Sequence, residues 1–288
     1  MGGTRWPLRL AAIVLAGVSL DANSATVITG GVQSYVIARG DTLTALGARF
    51  GVDVRTLAAD NGIDAAVRLT VGRTIVIDNR HIVPTAGAGA DVVINVPQRM
   101  LFYRGAAAFP VAVGQSTWRT PLGVSTVVSR ERDPVWDVPA SIAEEARRRG
   151  RTLPKSVPPG PDNPLGRYWL GLSRGGVGLH GTNAPSSIYR AATHGCIRLH
   201  PDDIAWLFPR IAVGATVTTT YEPVLLAEVD GRVFLEVHAD VYRRAPPAAA
   251  TVRTLATALA ITHRIDWAKA DTATAAREGL ARDVTAGR

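Results

Sequence analysis

Apolar positions change their period several times along this chain of 288 residues, and each change predicts a different element. Over 34–78 an alternating run at Tyr35 and Ile37 gives way to helical spacing at Leu43, Leu46 and Phe50. A second short helical stretch carries Val54 and Leu57, and alternation returns over 74–77. Asp41 is the expected N-cap of the first helix and Gly51 its end; Asp53 caps the second, which Asn61-Gly62 stops. The expected order is strand, helix, helix, strand, a small α+β unit. Residues 79–90 read as a linker ending in a Pro/Gly/Ala run.

From 91 to 221 the pattern is strand-rich. Residues 91–96 and 100–103 flank Pro97-Gln98-Arg99 as a hairpin, and further strands are expected over 109–113, 124–128, 168–172 and 216–221. Short helices are expected over 141–149 and, begun after Pro201, over 202–208. Loops fill 114–123 and 152–166, the second holding prolines 154, 158, 159, 161 and 164; a loop that long inside a domain suggests function or disorder. The reading is a mostly β domain with short helices. In the tail, 222–288, the runs 224–229 and 233–237 flank Asp230-Gly231 as a second hairpin. Beyond Pro246-Pro247 one or two helices are expected to the C-terminus.

The first residues break this picture. Arg5 and Arg9 precede an apolar stretch over 10–20, and the small residues Ala22, Ser24 and Ala25 follow. That order predicts a secretory signal peptide over 1–25, or a membrane anchor if it stays uncleaved; the apolar stretch is about half the ~20 residues a spanning helix needs. Either outcome puts the rest of the chain outside the cytoplasm. Hydrophobic and charged contents of 47% and 19% describe a folded globular chain. A formal charge of +8 and a pI near 10.3 favour anionic partners. The basic residues are mostly scattered arginines with no aromatic-interleaved run, which argues against nucleic acid.

Candidate chemistry gathers in 180–200. Cys196 is the only cysteine, so no intrachain disulfide is open to it. A free thiol outside the cytoplasm is exposed to oxidation, and its presence asks for a reason. His180-Gly181-Thr182-Asn183 precedes it, and it sits within Thr193-His194-Gly195-Cys196-Ile197-Arg198-Leu199. Histidine takes a thiol proton near neutral pH and returns it to a leaving amine, and Gly195 permits the tight turn that an oxyanion hole needs. These are the parts of a Cys/His acyl-transfer site. Two blander readings stay open at this point: Cys196 as a packing residue, and His180, His194, Cys196 and His200 as zinc ligands. His81 and His238 have no partner in sequence and are read as surface or packing residues.

The run from His180 to Leu199 resembles the YkuD-type L,D-transpeptidase signature: a histidine, a spacer, then Ser/Thr-His-Gly-Cys, an aliphatic residue and Arg or Asn. Thr120-Pro121-Leu122-Gly123 and the segment from Pro159 to Gly166 resemble further family motifs. Tyr35-Val36, Gly40-Asp41-Thr42-Leu43, Leu57, Asn61, Leu69, Gly72 and Ile75-Val76-Ile77 resemble a LysM module. The combination is similar to the branch that attaches Braun lipoprotein in Gram-negative bacteria. The resemblance implies a YkuD-like β-sandwich or barrel over 91–221 and a βααβ LysM module over 34–78. It implies Cys196 as nucleophile, His180 as its base and acid, and the Gly181 carbonyl orienting the His180 ring. Backbone N–H groups around His194, Gly195 and Cys196 would hold the oxyanion. His194 and Thr193 would support the site, Arg198 would meet a stem carboxylate, and Thr182 and Thr193 would line the substrate. The implied partners are peptidoglycan tetrapeptide stems, glycan through LysM, and a stem amine or lipoprotein lysine as acceptor, in the periplasm and with no cofactor or metal. Two rivals stay open: an L,D-carboxypeptidase in which water takes the acyl group, and a wall-binding protein without turnover.

Overall fold

The computed structural model describes residues 28–66 and 68–287; the expected signal peptide, 1–25, lies outside them. A short strand β1 (Ile28–Thr29) leads into β2 (Val32–Val36), α1 (Leu43–Phe50), α2 (Val54–Asp60) and β3 (Thr74–Asp78), followed by β4 (His81–Ile82). β2 and β3 pair antiparallel with Tyr35 opposite Ile75, so Ile37, Ile75 and Ile77 face the helices and close a core with Leu43, Leu46, Val52 and Leu57. The cap of α1 is Thr42, whose hydroxyl accepts the Ala45 N–H at 3.0 Å, and not Asp41. The Asp41 carboxylate is already taken by the Tyr35 hydroxyl and the Ala38 amide, at 2.8 and 2.7 Å. Asp53 caps α2 as expected. Asn61 does more than end that helix: its side chain exchanges hydrogen bonds with the Val76 backbone and ties α2 to β3.

The strand-rich region forms one sheet. Its strands are β5 (Val92–Asn95), β6 (Met100–Tyr103), β7 (Ala107–Gly114), β8 (Gly123–Arg132), then, beyond β9 (Trp136–Asp137), α3 (Ala140–Arg148) and β10 (Ser156–Val157), β11 (Tyr168–Leu172), β12 (Gly178–His180), β13 (Ala191–Thr193), β14 (Ile197–Leu199) and, after α4 (Pro201–Leu207), β15 (Thr216–Thr220). Hydrogen bonding runs β7-β14-β12-β11-β8-β15-β5-β6 and returns from β6 to β7, which closes an eight-stranded barrel with β13 as a short extra strand on β7. Closure leaves no long open edge. Val92, Ile94, Leu101, Val111, Leu170, Leu179, Ile197 and Val217 fill the interior. The excursion between β8 and β11 is no bare loop: β9 and β10 pair, α3 lies between them, and the buried Asn163 amide donates to the Pro134 carbonyl.

The C-terminal part is the expected hairpin, β16 (Val224–Val229) with β17 (Arg232–Val237), covered by α5 (Ala248–Ala258) and α6 (Trp267–Ala276). It departs from expectation at its end. The chain turns through Arg277 and Gly279, both at positive φ, and adds β18 (Arg282–Asp283) to the edge of β17. Two strand residues carry no readable period. Leu280, in that return, is buried in the core under α1 and α2. Among the described residues no helix is long and apolar enough to cross a membrane.

Candidate active site

β12 and β14 lie side by side and parallel, Leu179 opposite Ile197 and His180 opposite Arg198. Side chains alternate along strands, so Leu179 and Ile197 enter the barrel interior while His180, Arg198 and Cys196 share the other face. Continuing that register sets Cys196 against Gly178 and one diagonal step from His180. Diagonal neighbours in a sheet lie roughly 7–8 Å apart, within reach of long side chains. Trp169 on β11 pairs with His180 and stacks on its ring, centroids 5.9 Å apart at 29°. The indole also covers Gly178, where a Cβ would meet ring carbons at 2.6 Å. Trp169 is thus one wall of the face, and Gly178 leaves the room for it.

The His180 ring is buried, and its Nδ1 lies 2.7 Å from the Gly181 carbonyl oxygen. A carbonyl only accepts, so Nδ1 carries the proton and the Nε2 lone pair is free to act as a base. Burial, aided by the Arg198 charge, holds the imidazole down at about 3, against the Gly181 and Leu165 carbonyls, which raise it. Burial likewise pushes the Cys196 thiol up, while the Gly178 amide and Arg198 pull it down. The thiol sits near the Gly176 carbonyl, 3.5 Å away. At rest the pair is therefore neutral, imidazole beside thiol.

The turn holding Cys196 is set by Thr193, whose hydroxyl donates to the Cys196 carbonyl at 2.6 Å and accepts the Gly195 N–H at 3.2 Å. Gly195 has φ +109°. Its N–H, expected at the oxyanion, is engaged by the Thr193 hydroxyl. His194 Nε2–H donates to the Glu145 carboxylate of α3 at 2.5 Å, and the ring packs on Trp118, 5.2 Å between ring centroids. That hydrogen bond holds the Glu145 carboxyl below its usual range. Arg198 gives one Nη1 hydrogen bond, to the Ser187 hydroxyl at 2.9 Å, and has no carboxylate partner among the described residues. Thr182, expected at the substrate, is buried under the following turn, where its hydroxyl accepts the Ala184 N–H at 3.0 Å.

Comparison with known proteins speaks to the same residues. The family described as the L,D-transpeptidase catalytic domain, YkuD, matches residues 89–219, and the LysM domain matches 35–78. The protein named "Probable L,D-transpeptidase ErfK/SrfK" of Salmonella typhimurium is 37% identical over 210 residues, spanning 70% of this chain and 67% of its own length. The chain belongs to the YkuD family of L,D-transpeptidases. A second relative, "Probable L,D-transpeptidase YbiS" of Escherichia coli, is 34% identical over 189 residues, 63% of this chain and 61% of that one. The chain thus spans about two thirds of the length of these curated relatives. The solved catalytic domain of the E. faecium L,D-transpeptidase is similar at 21% identity and a TM-score of 0.35, covering 46% of this chain and 97% of that one.

Against the family signature, the structure brings His180, Gly181, Thr193, Gly195, Cys196 and Arg198 to one face and one turn, and sets His194 to the side on Glu145. His200 stays apart: its ring accepts the Asp202 N–H and lies 3.2 Å from Arg49. The four candidate zinc ligands therefore do not converge. Among the described residues the cluster that brings three such groups together is elsewhere, His81, Glu236 and His238, all buried. Glu236 there accepts from His81, His238, Gln98 and the Ile82 amide, at 2.8, 2.7, 3.0 and 2.6 Å, and these hydrogen bonds occupy the carboxylate. The sequence reads His81 and His238 as surface or packing residues and does not single out their convergence on Glu236, nor Trp169, Glu145 and Ser187 beside the candidate site residues. The alternation over 168–172 already put Trp169 in a strand; nothing local links Glu145 to His194, 49 positions on.

Proposed function

We propose that this L,D-transpeptidase works on peptidoglycan outside the cytoplasm, with residues 34–78 holding glycan, 91–221 catalysing and 222–288 forming a bracing extension. Cys196 Sγ attacks the carbonyl that joins the diamino acid of a tetrapeptide stem to its terminal D-Ala. His180 Nε2 takes the thiol proton as the C–S bond forms, and returns it to the amine of D-Ala as the C–N bond breaks. The stem remains as a thioester on Cys196. An amine, from a second stem or a lipoprotein lysine, then attacks the thioester; as the C–N bond forms and the C–S bond breaks, His180 takes the amine proton and passes it to Cys196 Sγ, restoring the thiol. The Cys196 amide stabilises the developing oxyanion, and Arg198 binds a carboxylate of the stem.

The observation that carries this reading is the His180 tautomer. Its Nδ1–H is committed to the Gly181 carbonyl, and its basic Nε2 shares a sheet face with Cys196. A neutral pair suits acyl transfer, because the proton moves only as the nucleophile bonds. The test incubates the full chain with disaccharide-tetrapeptide and reads products by mass spectrometry, with Cys196→Ala alongside. A cross-linked dimer with D-Ala released, lost in the variant, is expected. Tripeptide alone would make the protein a carboxypeptidase in that assay, and product from Cys196→Ala would overturn the reading.

A further inference from the structure

Arg198 is an unusual cation. It stands two residues after Cys196 on the same face of β14, roughly 7 Å along the strand, and most of it is buried. Its Nε is buried without a partner, and its guanidinium makes a single hydrogen bond, to Ser187. Arginine side chains carry considerable rotamer entropy, so a guanidinium with no carboxylate to hold it needs another tether to stay over the site.

Ser187 is built to be that tether. Its own hydroxyl proton goes to the Ala184 carbonyl at 2.6 Å, which turns its lone pairs toward the guanidinium. The same carbonyl accepts the Ser187 N–H at 3.0 Å, and the Ala184 N–H is held by Thr182. Ser187 therefore spends its hydroxyl proton and its N–H within the turn, and its oxygen lone pairs remain to meet Arg198. The turn lies between His180 and Cys196 in sequence.

We propose that Ser187 is a positioning residue: it fixes one edge of the Arg198 guanidinium so that the other edge faces the thiol and binds the carboxylate of an acyl donor. The consequence is selectivity for carboxylate-bearing donors near Cys196. The inference rests on Cys196 being the reactive thiol, and its test is chosen to separate the two.

Cys196 in the full chain is alkylated with iodoacetate, which carries a carboxylate, and with iodoacetamide, which is neutral and of the same size. In each case the sulfur bonds carbon, iodide leaves, and the thiol proton passes to His180 or solvent. The readout is the ratio of the two second-order rate constants, measured by intact mass below the thermal midpoint of each variant. Ser187→Ala is expected to lower the iodoacetate:iodoacetamide ratio about fivefold, the scale of one lost hydrogen bond, and Arg198→Gln about tenfold or more, the scale of a charge-assisted one. Ser187→Thr, which keeps the hydroxyl, retains the ratio, and Arg198→Lys gives an intermediate value if folding fails in the glutamine variant. With tetrapeptide donor, Ser187→Ala raises KM about fivefold with little change in kcat, a split that simple loss of folded protein does not produce. An equal ratio in the unsubstituted chain, Ser187→Ala and Arg198→Gln overturns the proposal. A ratio that shifts as expected in a protein that makes no transpeptidation product leaves Ser187 in its role and removes the peptidoglycan reading instead.

Discussion

At the scale of single residues, the site depends on atoms that are missing as much as on those present. Gly178 has no side chain where Trp169 needs the space, so Gly178→Ala pushes the indole, and with it the stacked His180 ring, off its position. Overpacking of this kind costs about 1–3 kcal/mol, and a misaligned base is expected to lower kcat at least tenfold; a variant with unchanged turnover would remove Trp169 from the account. The charge state of the pair makes a second prediction. His180 sits at about 3 and Cys196 above its usual value, so no thiolate–imidazolium pair exists across the neutral range. Alkylation by iodoacetamide should therefore climb with pH through 6–9 along a single thiol titration, whereas a plateau of high reactivity between pH 5 and 7 would contradict it. The signature in sequence names His180 and Cys196 because their chemistry is written in residue type and spacing. It is silent about Trp169 and Gly178, whose meeting depends on which strands become neighbours.

Among the elements, those with a strong period were legible and those fixed by distant contacts were not. α1, α2, α4 and the two hairpins follow from amphipathic spacing and turn residues. The cap of α1 moved by one residue because the Tyr35 hydroxyl and Ala38 amide compete for Asp41, a contact invisible in the helix pattern. The strands β12, β13 and β14 around Cys196 are three residues each, too short for periodicity to announce. The loop 114–123 gains its shape from outside itself. The buried Tyr242 hydroxyl donates to the Gly114 carbonyl at 2.8 Å and accepts the Thr120 N–H at 3.0 Å, and Gln115 in that loop donates to the Thr193 carbonyl. Tyr242→Phe leaves both backbone groups unpaired, a cost of about 1–3 kcal/mol. Chemical denaturation is expected to show a lower midpoint with an unchanged m value; an unaltered midpoint would mean that the loop is held by other contacts.

Over the whole molecule, one buried carboxylate links the parts. Glu236 on β17 accepts from His81 and Ile82 of the segment after β3, from Gln98 of the barrel and from His238. His81 in turn reaches the Gly51 carbonyl at the end of α1, 3.0 Å away. The two ring nitrogens of His81 thus face the Glu236 carboxylate and the Gly51 carbonyl. No periodicity could reveal this hub, since His81 and Glu236 stand 155 positions apart and converge only after the chain has folded. Glu236→Gln leaves buried donors opposed and is expected to cost about 3–5 kcal/mol, read as a fall in Tm. The pH dependence has a definite sign. Despite the burial that raises it, Glu236 is drawn down to about 2, mainly by the His81 charge and the hydrogen bonds from the two histidines. Its stabilisation is full above the ordinary carboxylate range and is lost as pH falls toward 2. Burial also lowers His238 and His180, whose contributions are full above the ordinary histidine range and decline below it. Tm should therefore fall steadily as pH drops from about 6.5, and Glu236→Gln should flatten the part of that fall below the carboxylate range; a Tm that rises on acidification would contradict the assignment.

The most direct test of the central claim is the covalent intermediate. The full chain is mixed with disaccharide-tetrapeptide, quenched with acid within the first turnovers and weighed intact. An adduct equal to the donor less D-Ala is expected, mapped to Cys196, discharged by an added amine and absent from Cys196→Ala. D-Ala released with no such adduct at any time, or at an equal rate from Cys196→Ala, would show that the thiol is not the nucleophile.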